Sequence, residues 1–194
     1  RAGEMTLRSM KPVEAPERTT SALKPGVESL PGRLIAFTNG VNDSGGDVIG
    51  RQLLPLVRSG FRDESCLDGL KVIGPVRFAG IAGTYDSFPK HSRMEPYVSS
   101  LGWLAWHGGL VKPRPGRYRF WGYADNHLLV AVNGTPVFEG CRYDSEFRKV
   151  LGIARQNHPS LPCLNARAGF ASGEWFEVDD NPIRLDLLFG EQSG

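Results

Sequence analysis

The residues best placed to do chemistry are Asp125-Asn126-His127, which end an aromatic run, with Trp121 four positions upstream. A carboxylate, a primary amide and an imidazole side by side offer charge, paired donors and acceptors, and a neutral base. That set suits a sugar. Asp125 and Asn126 can meet a diol, and Trp121 can offer an aromatic face to its C–H groups. Trp121 has the strongest claim to exposure, because Phe120 and Gly122 take the opposite face of an alternating strand. The structural alternative is that Asp125 and Asn126 simply cap a strand end, which these residue types do well.

Other constellations fall short of a reaction. The four histidines (His91, His107, His127, His158) show neither H-x-x-x-H nor H-E-x-x-H spacing, so no zinc site is written in the chain. A Gly-x-Ser-x-Gly elbow is missing. Asp179-Asp180 lies just before Asn181-Pro182, a setting for solvated turn acids. A glycosidase needs two carboxylates facing each other across a pocket, which sequence spacing does not supply. Glycines at 40, 45, 46 and 50 match neither dinucleotide nor P-loop patterns. The expectation is a non-enzyme, with a hydrolase as the remaining catalytic alternative.

Charge narrows the partners. Residues 1–33 hold six Lys/Arg against four Glu and so carry the whole net charge of +2. The remaining seventeen basic and seventeen acidic residues balance. A neutral body without a basic stripe argues against nucleic acid, whose binding rests on phosphate neutralisation. No apolar run reaches the roughly 18 residues that span a bilayer. Cys66, Cys141 and Cys163 lack metal-ligand spacing. Cys141 and Cys163 could pair across neighbouring strands, or all three could be small buried hydrophobes. The chain starts at Arg1 rather than Met and reads as a fragment or processed product.

The elements that must position the corner are mostly strands. Residues 1–31 contain no aromatic residue and four prolines, and read as an extended linker or arm. A domain over 32–194 follows. Gly32 to Thr38 is its first strand, and 39–46 a polar loop. Asp47 to Gly60 is helical, with Asp47 as cap and Pro55 limiting its run. Lys71 to Gly80, Ile81 to Tyr85 and Ser99 to Val111 are β-rich, separated by a loop over Asp86 to Pro96. Arg117 to Ala124 reads as one strand, Leu128 to Val132 as the next. Asn133-Gly134 makes a type I′ turn into Thr135 to Glu139, since both residues accept positive φ. Asp144 to Ile153 is a short helical insertion, and Ala154 to Leu164 a polar loop. Trp175 to Val178 and Ile183 to Phe189 close the domain. In the last run Ile183, Leu185, Leu187 and Phe189 share one face while Arg184 and Asp186 take the solvent side. The fold expected is all-β, an antiparallel β-sandwich or barrel of about 8–10 short strands with one or two helical insertions. Asn42-Asp-Ser and Asn133-Gly-Thr match the N-glycosylation pattern but are read as turns.

Several pieces in order resemble a known family. They are Trp106-His-Gly-Gly-Leu-Val-Lys-Pro113, Pro115-Gly-Arg-Tyr-Arg-Phe120, Tyr123-Ala-Asp-Asn126, Leu128 to Phe138 with its Gly turn, and the closing Ile183 to Glu191. Together they resemble the protective-antigen-type, lectin-like domain. The likeness covers residues 101–141 and 173–191, and Gly32 to Tyr85 suits its opening strands. It implies a β-sandwich, and a place as an accessory recognition module of an extracytoplasmic bacterial protein, secreted or in the cell envelope, with a glycan or envelope partner. Family members that bind sugar through calcium carry two consecutive aspartates at the corner. Here the pair is Asp125-Asn126, one carboxylate fewer, so no cofactor is expected and these two are the only candidate calcium ligands. The reading is therefore carbohydrate recognition at Trp121, Asp125, Asn126 and His127; the alternative is an interaction module without a small ligand.

Overall fold

The computed structural model describes residues 30–37, 46–78, 102–141, 145–162 and 169–192. The chain forms an all-β, sandwich-like body of antiparallel sheets with two helices. Its main sheet has six strands in the order β2-β1-β3-β11-β6-β7. These are β1 (Leu30–Ala36), β2 (Lys71–Phe78), β3 (Trp103–Val111), β6 (His127–Val132), β7 (Thr135–Glu139) and β11 (Ile183–Glu191). Two smaller sheets form the second layer. One pairs β4 (Gly116–Tyr118) with β10 (Phe176–Val178); the other orders β5 (Trp121–Gly122), β9 (Gly169–Ser172) and β8 (Gln156–Pro162) as β5-β9-β8.

The main sheet buries both faces. Leu34, Trp103, Leu128, Val130, Leu187 and Phe189 meet Tyr118, Ala171 and Val178 of the small sheets. On the other side Ile35, Leu104, Trp106, Leu129 and Leu188 pack under α1 (Val48–Arg58) and α2 (Glu146–Leu151) through Leu53, Leu56 and Phe147. Central strands covered on two sides read as continuous apolar runs, which is why Leu128 to Val132 carries no polar residue. It also corrects the expected solvent side of β11. Asp186 is fully buried there, taking both guanidinium nitrogens of Arg184 (2.7 and 2.9 Å) and the Trp106 indole N–H at 3.1 Å.

Local chemistry accounts for most element ends. Asp47 accepts the Gly50 N–H at 2.7 Å as the α1 cap, and Pro55 sits inside the helix, which runs on to Arg58. Asn133 and Gly134 adopt φ of 51° and 78°, as a type I′ turn demands. The Asn133 side chain then accepts the Arg184 N–H at 2.8 Å and ties the hairpin to β11.

Three expectations change. The first strand starts at Leu30, which is fully buried, two residues before Gly32. Arg117 to Ala124 is not one strand: the chain leaves one small sheet after Tyr118 and enters the other at Trp121. Gln156–Pro162 is a strand rather than a loop. It lies at a sheet edge, where missing proline N–H groups break no central ladder. Segments 1–29, 38–45, 79–101 and 163–168 lie outside the described residues, and with them the arm, the Asn39 loop, Ile81 to Tyr85, Asp86 to Pro96, His91 and Cys163.

Candidate functional site

The expected site residues divide between two places. Asn126 and His127 belong to a polar knot between the main sheet and its helical cover. Asn126 Oδ1 accepts the Gln192 N–H at 2.7 Å. Gln192 in turn accepts the Val48 and Ile49 N–H groups with Oε1, at 2.9 and 3.2 Å, and donates Nε2 to Gly46 O at 2.7 Å. These are first-turn donors that a helix cannot satisfy internally. Asp47 completes the knot: Oδ1 caps α1, and Oδ2 accepts the Glu146 N–H at 2.7 Å in the first turn of α2. The positive ends of two helices thus converge on one carboxylate.

His127 is 3% exposed, with Nε2 3.5 Å from Asp47 Oδ1 and the Phe147 ring edge-on to its own. Burial drives its pKa down against the pull of Asp47 and Glu139, so the imidazole is neutral. The ring is almost wholly screened from solvent. Asp125 is half-buried and its carboxylate lies 3.4 Å from the Asn126 amide nitrogen, across a cis peptide. Asn126, expected to meet a sugar or calcium, spends its oxygen on Gln192 instead. Among the described residues no group of three or more His, Cys, Asp or Glu could hold a metal.

Beneath the corner lies an ion-pair cluster. Glu139, at the end of β7, is fully buried and takes Ser145 Oγ at 2.7 Å, Arg148 Nη1 at 3.2 Å and Arg155 Nη1 at 3.4 Å. Arg155 also donates to Cys141 O at 2.7 Å. Cys141 is a free thiol, 1% exposed; burial first, then Glu139, pushes its pKa well above the ordinary thiol value. Such a sulfur is no nucleophile. Cysteine, histidine and acids sit close together here, yet the arrangement is closed: Glu139 is locked in ion pairs, and both ring nitrogens of His127 are buried without a hydrogen-bond partner.

Trp121 lies elsewhere, on the outer face of the β5-β9-β8 sheet, and is 44% exposed. Its expected exposure holds: Phe120 packs against the core, and a Cβ on Gly122 would strike Leu128. The Trp121 ring stacks on His158 at 4.3 Å, and the Arg119 guanidinium lies 4.4 Å from its centroid. Arg119 also lies 4.6 Å from the Trp175 ring, which carries Arg117 at 5.0 Å. The result is a stack of alternating cations and rings: Arg117, Trp175, Arg119, Trp121, His158. Cation–π contact and ring stacking hold each member in place. His158 Nε2 is fixed by Ser172 Oγ at 2.8 Å. Register puts Ser172 opposite both Trp121 and Gln156, and Phe170 opposite His158. Residues two apart share a face, so exposed Gln156 and Phe170 extend the same surface. Beside it runs a groove of about 480 Å³, lined by Arg58, Pro136, Leu151, Ile153, Glu174 and Trp175.

Sequence reasoning found Trp121, counted Trp106 and Trp175 with it as indoles that could stack on a sugar ring, and missed Arg117, Arg119, Gln156, His158 and Phe170 as members of this surface. One signal was present: Arg117, Arg119 and Trp121 alternate at period two. Their partners Trp175 and His158 are 37 or more positions away in the chain and come together only through sheet pairing.

The fold and this surface define an all-β antiparallel protein with a helical cover on one side and an aromatic, cationic face on the other. No family model, curated protein or solved structure matches the chain.

Proposed function

We propose that this chain is a non-catalytic recognition module, an accessory part of an extracytoplasmic bacterial protein, and that it binds carbohydrate on the outer face of the β5-β9-β8 sheet. The observation that carries the reading is the surface built on Trp121: two exposed aromatic rings, Trp121 and Phe170, flanked by Arg119 and His158, which ring contacts hold in place, and by exposed Gln156 on the same face. Aromatic surface for sugar C–H groups, edged by donors that select hydroxyls, is the chemistry a glycan needs. The adjoining groove is within the roughly 300–1,000 Å³ of small-ligand sites. A non-catalytic role is supported by the acids: Glu139 and Asp186 are fully buried and locked in ion pairs, so neither can meet a substrate.

The test is a glycan panel probed with the whole chain, with and without calcium, alongside Trp121→Ala. Binding is expected in the millimolar to micromolar range, about −4 to −8 kcal/mol. It should be lost in Trp121→Ala and indifferent to calcium, because Asn126 Oδ1 is engaged by Gln192. A blank panel sinks the glycan reading and leaves an interaction module without a small ligand. Calcium-dependent binding abolished by Asp125→Ala returns the site to the corner.

A further inference from the structure

Arg119 stands apart from the other half-buried arginines. Arg148 and Arg155 hold Glu139 and Arg33 holds Glu64, and even the exposed Arg184 holds Asp186. Arg117, its neighbour on the same face, pairs with Glu177 at 3.6 Å. Arg119 has no ion pair and no hydrogen bond among the described residues. Its Nε is buried without a partner, the residue as a whole is half-buried, and its guanidinium carbon lies 4.4 and 4.6 Å from the two indole rings. The guanidinium lies against both the Trp121 and Trp175 rings, and its N–H edge is unspent among the described residues. That edge is a preformed fork for a planar anion.

We propose that Arg119 is the anion-recognising group of the module and that the ligand is an acidic saccharide, a sugar ring bearing a carboxylate or sulfate. The inference rests on the carbohydrate reading and names the class within it. Trp121 and Phe170 meet the apolar side of the ring while its anionic substituent takes the unspent edge of Arg119. The ion pair forms beside two indoles that exclude water, so it is stronger than one on open surface. Glu177 is engaged by Arg117, which leaves Arg119 as the uncompensated charge of the stack. Its fixed orientation means that little side-chain entropy is lost on binding.

The experiment is isothermal titration of the whole chain with four probes: an oligogalacturonate, its methyl ester, a neutral oligosaccharide carrying one sulfate, and the same oligosaccharide without it. The acid is expected to bind about tenfold or more tighter than the ester, as a charge-assisted hydrogen bond implies. Its affinity should fall with added salt. Arg119→Gln should erase the difference between acid and ester. The sulfated probe separates anion types: matching affinity assigns the fork to either anion, and weaker binding assigns it to carboxylates. Equal binding of acid and ester by the unaltered chain overturns the inference without touching the carbohydrate reading, and needs no variant to fold. If neither these probes nor the glycan panel bind, both fall. Tighter binding of a single-stranded oligonucleotide than of any saccharide also overturns both.

Discussion

Two regions of this molecule draw on the same residue types for opposite ends. Under the helices, Glu139, Arg148, Arg155, Asp47 and Gln192 are packed so that each charge or amide meets a partner. On the outer sheet face, Arg119 lies against two tryptophans and meets none among the described residues. A buried charge without a partner costs several kcal/mol, so the inner cluster has to be complete. A half-buried cation carries less of that cost and can wait for a ligand. The density of charged side chains therefore says little about where function lies. The unpaired members say more.

The difference breaks most visibly at Glu139. Glu139→Ala leaves two largely buried arginines without their carboxylate, and should cost about 3–5 kcal/mol, roughly 10 °C in Tm. Thermal melting reads this directly. A variant that melts within a degree or two of the unaltered chain would show that the cluster admits water and is not a structural knot.

Acid should strike buried histidines on both faces of the main sheet, His107 beside Phe189 toward the small sheets and His127 under the helices. His107, buried in β3 with Nδ1 3.3 Å from Leu30 O, has its pKa lowered from 6.5 to about 4, because burial disfavours the imidazolium. The shift of His127 runs the same way for the same reason. A depressed histidine pKa means that the unfolded chain binds protons first as pH falls. Stability is thus complete above pH 6.5 and drains away between 6.5 and about 4, by up to about 3 kcal/mol for His107 alone. Denaturant midpoints at pH 7.5 and pH 5 test it; equal midpoints would mean that these rings are hydrated or paired in the folded state.

A middle-sized effect belongs to the turn. Gly134 has φ of 78°, and a Cβ there would sit 3.1 Å from Gly60 Cα, where the hairpin meets the end of α1. Gly134→Val forces a β-branched residue into the left-handed region against that backbone, at about 1–3 kcal/mol. An unchanged melting curve would rule out the type I′ turn.

How much of this was legible in the chain follows from the range of the forces involved. The Asn133-Gly134 turn, the Asp47 cap, Thr135–Glu139 and the start of β11 at Ile183 are set by chemistry within a few residues, and sequence reading places them well. The strand at Gln156–Pro162 was hidden by Pro159 and Pro162, since proline signals a loop unless the strand is an edge. Asp186 read as solvent-facing because alternation alone cannot reveal a second covering layer. The corner residues were found, but their surroundings were not. Asn126 meets Gln192 across 66 positions, and His127 is covered by α2. Arg119 went unremarked, because what distinguishes it is the lack of a partner, and only the assembled fold reveals that.

The smallest stability effect should accompany the largest loss of function, and it is the sharpest way to hold the two regions apart. Trp121 is almost half exposed; its structural contacts are the ring of His158 and the guanidinium of Arg119. An exposed cation–π contact and an aromatic stack contribute on the order of 1 kcal/mol together with the partial burial of the indole. Trp121→Ala should therefore shift the melting midpoint by only a few degrees, as a change of about 1 kcal/mol does in a chain of this size. Saccharide binding should vanish in the same variant, because the apolar platform is gone and Arg119 loses one of the two rings it lies against. Calorimetry and melting on one preparation separate the outcomes. A large drop in Tm with binding intact would make the stack a structural clamp, and would move the search for a ligand to the groove beyond Trp175.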